Sequence, residues 1–451
     1  MNTQSLRKQA SKLVLAVALA TGTAMVAGHI VPDPAHAQRA KKDRKKKKNE
    51  DQPEYSKEFI AAYQPLNEQV NAEGADVAPL VDQVKALIPL AVSADEKNAL
   101  GGLVYNTGTK VSDSALQLQG MEMLLSSGKV PIDNIGRFNF IAYQIANSMN
   151  DFPKARKYLQ GAIDTNFTTE TIGIADLQIA MAESYFAAEE YYAGLDYLDK
   201  AIEGRKNQGL DVSENWYRRG ITVAYNNELV PQVYDVAVAW VADFPSEDNW
   251  RDAINLARNL NDFGQQEILD LFRLSRKVGA LSDKQDYLYY VESADARRLP
   301  KEVKDVIEQA YAEGAVSADD IFIADSLETA NNRIESDVAD LPELEQAARA
   351  ADAELRTVNA AANTFLSYGD FAKAETFFQK ALTLPGVDAN EALTRLGIAQ
   401  VGLEKHTEAA TTFGKIEGTR VPIATLWAGY AEMQTSAAAN DGPSLGDLMG
   451  G

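Results

Sequence analysis

The residue types that most often carry catalysis or hold metals are scarce in this chain of 451 residues, and the scarcity excludes several kinds of chemistry. It has three histidines, His29, His36 and His406, and no cysteine. His29 and His36 fall in an N-terminal segment built like a cleaved leader, which leaves His406 alone in the mature chain. A lone histidine at a turn is a helix-start residue far more often than a ligand or base. Without a second histidine or a thiol, neither an ordinary zinc cluster nor a cysteine nucleophile can be assembled. A serine nucleophile would have to rely on His406, and no GxSxG elbow presents one. The phosphate-binding patterns GxxxxGK[ST] and GxGxxG are missing, as are calcium loops of the DxDxDG type. Asp319-Asp320 has the chemistry of a glycosidase acid pair, but among 65 acidic residues it reads as solvated surface. No catalytic, cofactor or metal site is assigned.

What remains is a set of arginine and amide stripes. Arg251, Asn255, Arg258 and Asn259 lie at i, i+4, i+7 and i+8, one face of a helix. Arg137, Gln144 and Asn147 form a second such stripe, and Arg356, Asn359 and Asn363 a third. A guanidinium fork pairs with carboxylates in two-pronged fashion, and amide side chains can clamp an extended backbone. Such stripes suit the capture of a peptide, provided they face an open groove. They equally suit a merely wet surface.

The elements that must position these stripes are read from the segment Asn363 to Gly386, NTFLSYGDFAKAETFFQKALTLPG. Two helices meet there at Gly369-Asp370. Small Ala374 and Ala381 let them approach, and Phe365, Phe371 and Phe378 fill the space between. With Ala374 as the reference position, equivalent turn-plus-small-residue positions recur at Ala155, Gly194, Gln232, Gln266, Val303 and Ala409. Successive separations are 39, 38, 34, 37, 71 and 35 residues, the 71 marking a degenerate copy in between. This pattern resembles the tetratricopeptide repeat family, whose helix-pair unit is about 34 residues long. The resemblance is clearest in the C-terminal pair and moderate from Phe138 to Gly220.

That resemblance implies an all-α, right-handed superhelical solenoid of antiparallel helix pairs, in which the first helix of each pair lines a concave, partner-binding side. Family grooves that grip a terminal carboxylate use lysine and asparagine, and the lysines are missing from the stripes here. Period-2 alternation is absent, so no strand is expected. Helices are expected at, among others, 76–90, 318–336 and 342–368. Ser93 with Glu96 forms a capping box at one helix start. The frame is divergent helical repeats over 55–130, repeats over 131–316, a degenerate repeat over 317–356, and a clear pair plus capping helix over 357–435. The capping helix itself spans 421–434. A disordered tail is expected at 436–451.

The first 37 residues read as a signal peptide. Arg7, Lys8 and Lys12 precede an apolar run from Leu13 to Gly28, and Ala35-His36-Ala37 supplies small residues for cleavage between Ala37 and Gln38. No later run is apolar enough to span a membrane. The expectation is a periplasmic or secreted protein of a bacterial envelope.

Residues 38–54 form a basic arm expected to be disordered. Between 38 and 48 lie Arg39, Lys41, Lys42, Arg44, Lys45, Lys46, Lys47 and Lys48 against one aspartate, a net +7. Residues 49–451 hold 33 basic and 63 acidic residues, a net −30, which repels phosphate and argues against nucleic acid. The arm is a candidate tether to anionic membrane or envelope glycolipid. The reading that follows is a non-catalytic scaffold that binds peptide segments or helices of other envelope proteins. One alternative is a glycan or small-solute binding protein, and a more remote one is a cell-wall-acting enzyme or accessory factor.

Overall fold

The structure is a computed structural model that describes residues 53–440. The leader, nearly all of the arm and the last eleven residues lie outside the described residues, so the expectations placed on them are not addressed by it. Among the described residues there are twenty α-helices and no strand. The chain divides into two compact units, one ending at Ser184 and the other beginning at Tyr185. The division falls within the expected block 131–316.

The N-terminal unit contains α1 (Lys57–Asn71), α2 (Val81–Ala86), α3 (Ala94–Val111), α4 (Ser114–Ser127), α5 (Ile132–Ser148), α6 (Phe152–Asp164) and most of α7 (Ile174–Ala187). The helix expected over 76–90 is broken. Pro79 and Pro89 sit in short 3₁₀ turns, Ala78–Leu80 and Ile88–Leu90, on either side of the six-residue α2. The α3–α4 pair is the closest in the unit. A side chain at Gly120 would place its Cβ 2.4 Å from the Tyr105 amide nitrogen, so only glycine permits that approach. Ahead of α1 the chain is clamped to the start of α3. The Glu54 amide donates to Asp95 (2.9 Å), Ser93 Oγ donates to the Glu54 carbonyl (2.6 Å), and the Ser56 amide donates to Glu96 (2.7 Å).

The C-terminal unit continues with α8 (Tyr191–Asn207), α9 (Glu214–Asn226), α10 (Gln232–Asp243), α11 (Glu247–Leu260), α12 (Gln265–Lys277), α13 (Lys284–Ala294) and α14 (Pro300–Ala312). It then runs through α15 (Ile321–Arg349), α16 (Leu355–Ser367), α17 (Phe371–Ala381), α18 (Ala389–Gly402), α19 (His406–Phe413) and α20 (Val421–Asn440). Consecutive helices pack as antiparallel pairs, the all-α helix-pair architecture expected from the turns.

The turn itself recurs as a physical element along the chain. Four reference positions, Ala155, Gly194, Ala374 and Ala409, each follow by five residues a residue in the left-handed region: Asn150 (φ 58°), Glu189 (60°), Gly369 (76°) and Glu404 (61°). In each, two backbone amides close back on the ending helix, as when Asp370 N donates to the Phe365 carbonyl at 2.9 Å. Asp151 and Asp370 then cap the second helix, accepting from Lys154 N and Lys373 N. At Gln266 the register departs, because Asn261, five residues earlier, is extended (φ −133°, ψ 149°).

Two further expectations change. The degenerate repeat over 317–356 is not a helix pair but the single 29-residue α15, which runs through Pro342. Between Ala330 and Ala348 no residue of α15 is buried, so water can serve the backbone group that the proline leaves unpaired. The second change concerns α20. Its Trp427 stacks on Phe413 of α19 (6.0 Å between ring centres), as a cap would, but the helix then runs against α10, α11 and α12 of the same unit. Gly429 lies against Val238 of α10, and a Cβ at Gly429 would be 2.5 Å from the Val238 side chain. Tyr430 meets the Trp250 ring of α11 edge-on at 6.3 Å. Trp427 Nε1 donates to the Asp270 carbonyl of α12 at 3.0 Å. The C-terminal helix thus closes the unit on itself rather than capping an open end.

Candidate functional site: the inner face and its charge cluster

The arginine and amide stripes of the C-terminal unit lie where successive first helices meet, and much of their hydrogen-bonding capacity is already engaged. Arg258 of α11 pairs with Asp286 of α13 at 3.2 Å and lies over the rings of Phe272 (5.0 Å) and Tyr289 (5.6 Å). Arg251 donates to the Ala280 carbonyl (3.2 Å) and pairs with Asp248 (2.6 Å). Asn255 is half-buried and accepts from Arg258 (3.2 Å), while Asn259 is exposed. On α16, Arg356 is exposed and Asn359 half-buried, and Asn363 accepts from Arg395 of α18 at 2.7 Å. Arg218 of α9 reaches Asn249 of α11 in the same manner (3.2 Å). Instead of forming one free row, several of these groups link one first helix to another, α9 to α11, α11 to α13 and α16 to α18.

In the N-terminal unit the arrangement differs. Arg137, Gln144 and Asn147 are all exposed on α5. Half-buried Phe140 sits among them at helical spacing, stacked on Phe167 with ring centres 5.2 Å apart. A cation, an aromatic face and two amides therefore share one accessible stripe.

The strongest electrostatic feature was not among the candidates from the sequence. Asp270 of α12 is completely buried and binds three guanidiniums: Arg273 (2.8 Å), Arg395 of α18 (3.2 Å) and Arg420 (2.7 Å) just ahead of α20. Arg273 also forks onto Glu302 of α14, at 2.8 and 2.7 Å, and Tyr290 donates to the same carboxylate (2.9 Å). Arg395 further contacts Glu391, Gln266 and Asn363, and Arg420 lies 3.6 Å from Glu267. Burial alone would push the Asp270 carboxyl up, but Arg395, Arg273 and Arg420 outweigh it and hold its pKa below the ordinary carboxylate range. Glu302 is likewise lowered, with Arg273 overcoming burial. Asp286 goes the other way: burial and neighbouring Asp283 raise it in spite of Arg258.

These charges were visible as an anomaly of pattern. Asp270 stands between Leu269 and Leu271, and Arg395 between Thr394 and Leu396, at buried positions of their helices. His406 is half-buried, its ring edge-on to Tyr430 at 6.5 Å, and its Nδ1 is buried without a hydrogen-bond partner. Among the described residues no group of three or more His, Cys, Asp or Glu side chains is arranged to hold a metal. No described helix is long and apolar enough to cross a membrane.

No family model matches the chain, and no curated protein matches it. Several solved structures match the chain at low identity. The TPR2AB domain of yeast Sti1, in a complex with pHSP90, is 12% identical over 68% of this chain and 96% of its own, with a TM-score of 0.23. Naa15/Naa10 bound to HypK-THB is 13% identical over 85% and 70%, with a TM-score of 0.28. Yeast Tom70 is 12% identical over 87% and 99%, with a TM-score of 0.18. At scores this low the paths of the chains differ, and the assignment to an all-α array of helix pairs rests on the pairing and turns of this protein itself.

Proposed function

We propose that this protein is an exported, non-catalytic scaffold of a bacterial envelope that holds peptide segments or helices of other envelope proteins. The observation that carries this reading is the accessible stripe on α5, where Arg137, Phe140, Gln144 and Asn147 face outward together. Arg137 supplies a fork for a carboxylate, Phe140 an apolar contact, and the two amides supply donors and acceptors for an extended backbone. In the C-terminal unit Arg251, Arg258 and Asn363 are already engaged by their own neighbours, so we place partner capture on the N-terminal unit. Export is supported by the basic, apolar and small-residue order of the first 37 residues. The arm from Arg39 to Lys48 would hold the protein against anionic membrane or glycolipid, adding about 1 kcal/mol for each basic residue near the surface.

The test is in-cell photo-crosslinking from position 144, with and without Arg137→Glu. Adducts from the parent chain that disappear in the variant, with helicity unchanged, support the stripe. Undiminished adducts in the variant refute it.

A further inference from the structure

The C-terminal unit has an open cleft of about 410 Å³ beside the Asp270 cluster, within the range of roughly 300–1,000 Å³ typical of small-molecule sites. Its two walls differ in kind. One comes from α12 and α14 and is charged, with Arg273, Arg276 and Lys277 facing Glu302 and Asp305. The other is apolar, with Phe371 at the start of α17, Ile398 and Val401 of α18, and Trp427 of α20.

The charges on the polar wall do not cancel. Arg273 and Glu302 neutralise each other at 2.7 Å, and Asp305 is matched by Lys301 at 2.5 Å. Arg276 uses Nε to donate to Gln309 (2.9 Å), and among the described residues neither Arg276 nor Lys277 is in an ion pair. Two uncompensated cations thus line a cleft in a chain whose net charge is −21. Tyr368 lines the same cleft, and its hydroxyl is buried with no hydrogen-bond partner. Burial, with Asp337 of α15 adding to it, raises the pKa of that hydroxyl. Unmatched cations opposite an apolar wall define the missing partner by its chemistry.

We propose that this cleft binds a small amphipathic carboxylate, its head held by Arg276 and Lys277 and its apolar body laid against Phe371, Ile398 and Val401. The site is separate from the α5 stripe and independent of the scaffold reading. An anion of this type gains the two charge-assisted contacts, while a neutral alcohol of the same length gains only the apolar wall. A cation of the same length meets repulsion.

The experiment is isothermal titration of the full mature chain with dodecanoate, below its micellar concentration. Dodecanol and dodecyltrimethylammonium are the controls. The expected result is one saturable site for dodecanoate, with dodecanol at least about 10-fold weaker and the ammonium weaker still. Arg276→Gln with Lys277→Gln should lower dodecanoate affinity about 10-fold or more and leave dodecanol unchanged. Lys277 is exposed, so Lys277→Gln alone provides a variant that keeps the fold, with a smaller loss in the same direction. The proposal is overturned by no saturable binding at millimolar dodecanoate, by equal affinity for dodecanoate and dodecanol, or by variants that bind dodecanoate like the parent.

Discussion

Replacing Asp270 with asparagine removes one negative charge from the centre of the C-terminal unit with almost no change of shape, and its effect can be worked out from the neighbours. The carboxylate is fully buried and receives Arg273, Arg395 and Arg420 at 2.8, 3.2 and 2.7 Å. Arg273 keeps Glu302, and Arg395 keeps Glu391, Gln266 and Asn363. Arg420 loses most, since its other carboxylate, Glu267, is 3.6 Å away and partly exposed. Breaking a buried pair by removing one partner costs about 3–5 kcal/mol, because a buried charge is left uncompensated. Asp270→Asn should therefore destabilise this unit by about 4 kcal/mol, a large part of the roughly 5–15 kcal/mol that holds a domain folded. The loss should be local first. Arg395 and Arg420 lie 125 and 150 residues from Asp270, so the cluster fastens the end of the chain to α12. Amides of α20 should exchange faster in the variant than those of α13 and α14 in the same unit. Acid should have the same effect on the parent chain. A carboxyl with a depressed pKa contributes stability that is present above its unfolded pKa and is lost as pH falls through the folded value. A denaturation shift under about 1 kcal/mol, or unchanged exchange of α20, would refute the view that Asp270 is the clasp.

Three further predictions bear on the N-terminal unit and the arm. Glu96 accepts the backbone amides of Ser56, Val92 and Ser93 at 2.7, 2.9 and 2.9 Å, and its pKa is lowered to about 2 despite burial. Its contribution should be intact above about pH 4.5 and disappear as pH falls towards 2, and Glu96→Gln should cost about 2 kcal/mol in urea denaturation at neutral pH. Gly120→Ala should cost about 1–3 kcal/mol, read as a lower Tm, because its Cβ would meet backbone rather than a movable side chain. Deleting Arg39 to Lys48 should release the protein from envelope fractions at low salt, and a deletion variant that fractionates like the parent would remove the tether.

The parts of the fold that were legible in the sequence are those set by neighbouring residues. The Gly369-Asp370 turn, the capping box at Ser93 and Glu96 and the small residues at 155, 194, 374 and 409 each act within a few positions of one another. Their spacing was enough to place most helix pairs. The reading weakened wherever the local cue was replaced. At Asn261 an extended residue stands where four of the other turns hold a left-handed one, and at Pro342 a helix continues because its middle turns are exposed. The candidate site was less legible. Helical spacing grouped Arg251, Asn255 and Arg258 correctly on one face but could not reveal that Asp286 and the Ala280 carbonyl already meet the arginines. Only on α5 does the predicted stripe remain exposed throughout.

The sequence by itself determined that this is a helical chain of paired units, because turn geometry, capping and helical periodicity are interactions over one to five residues. It also determined the charge contrast between arm and body, which is a matter of composition. Only the tertiary structure decided that α20 folds back onto α10, α11 and α12, that several stripe residues there link helix to helix, and that a cationic cleft with an apolar wall lies beside the clasp. Closure depends on how small rotations between helix pairs add along the array, and on whether a charge buried at residue 270 meets its counter-charges at 395 and 420. A buried carboxylate must be matched, but the residues that match it can come from anywhere in the chain, and folding alone brings them together.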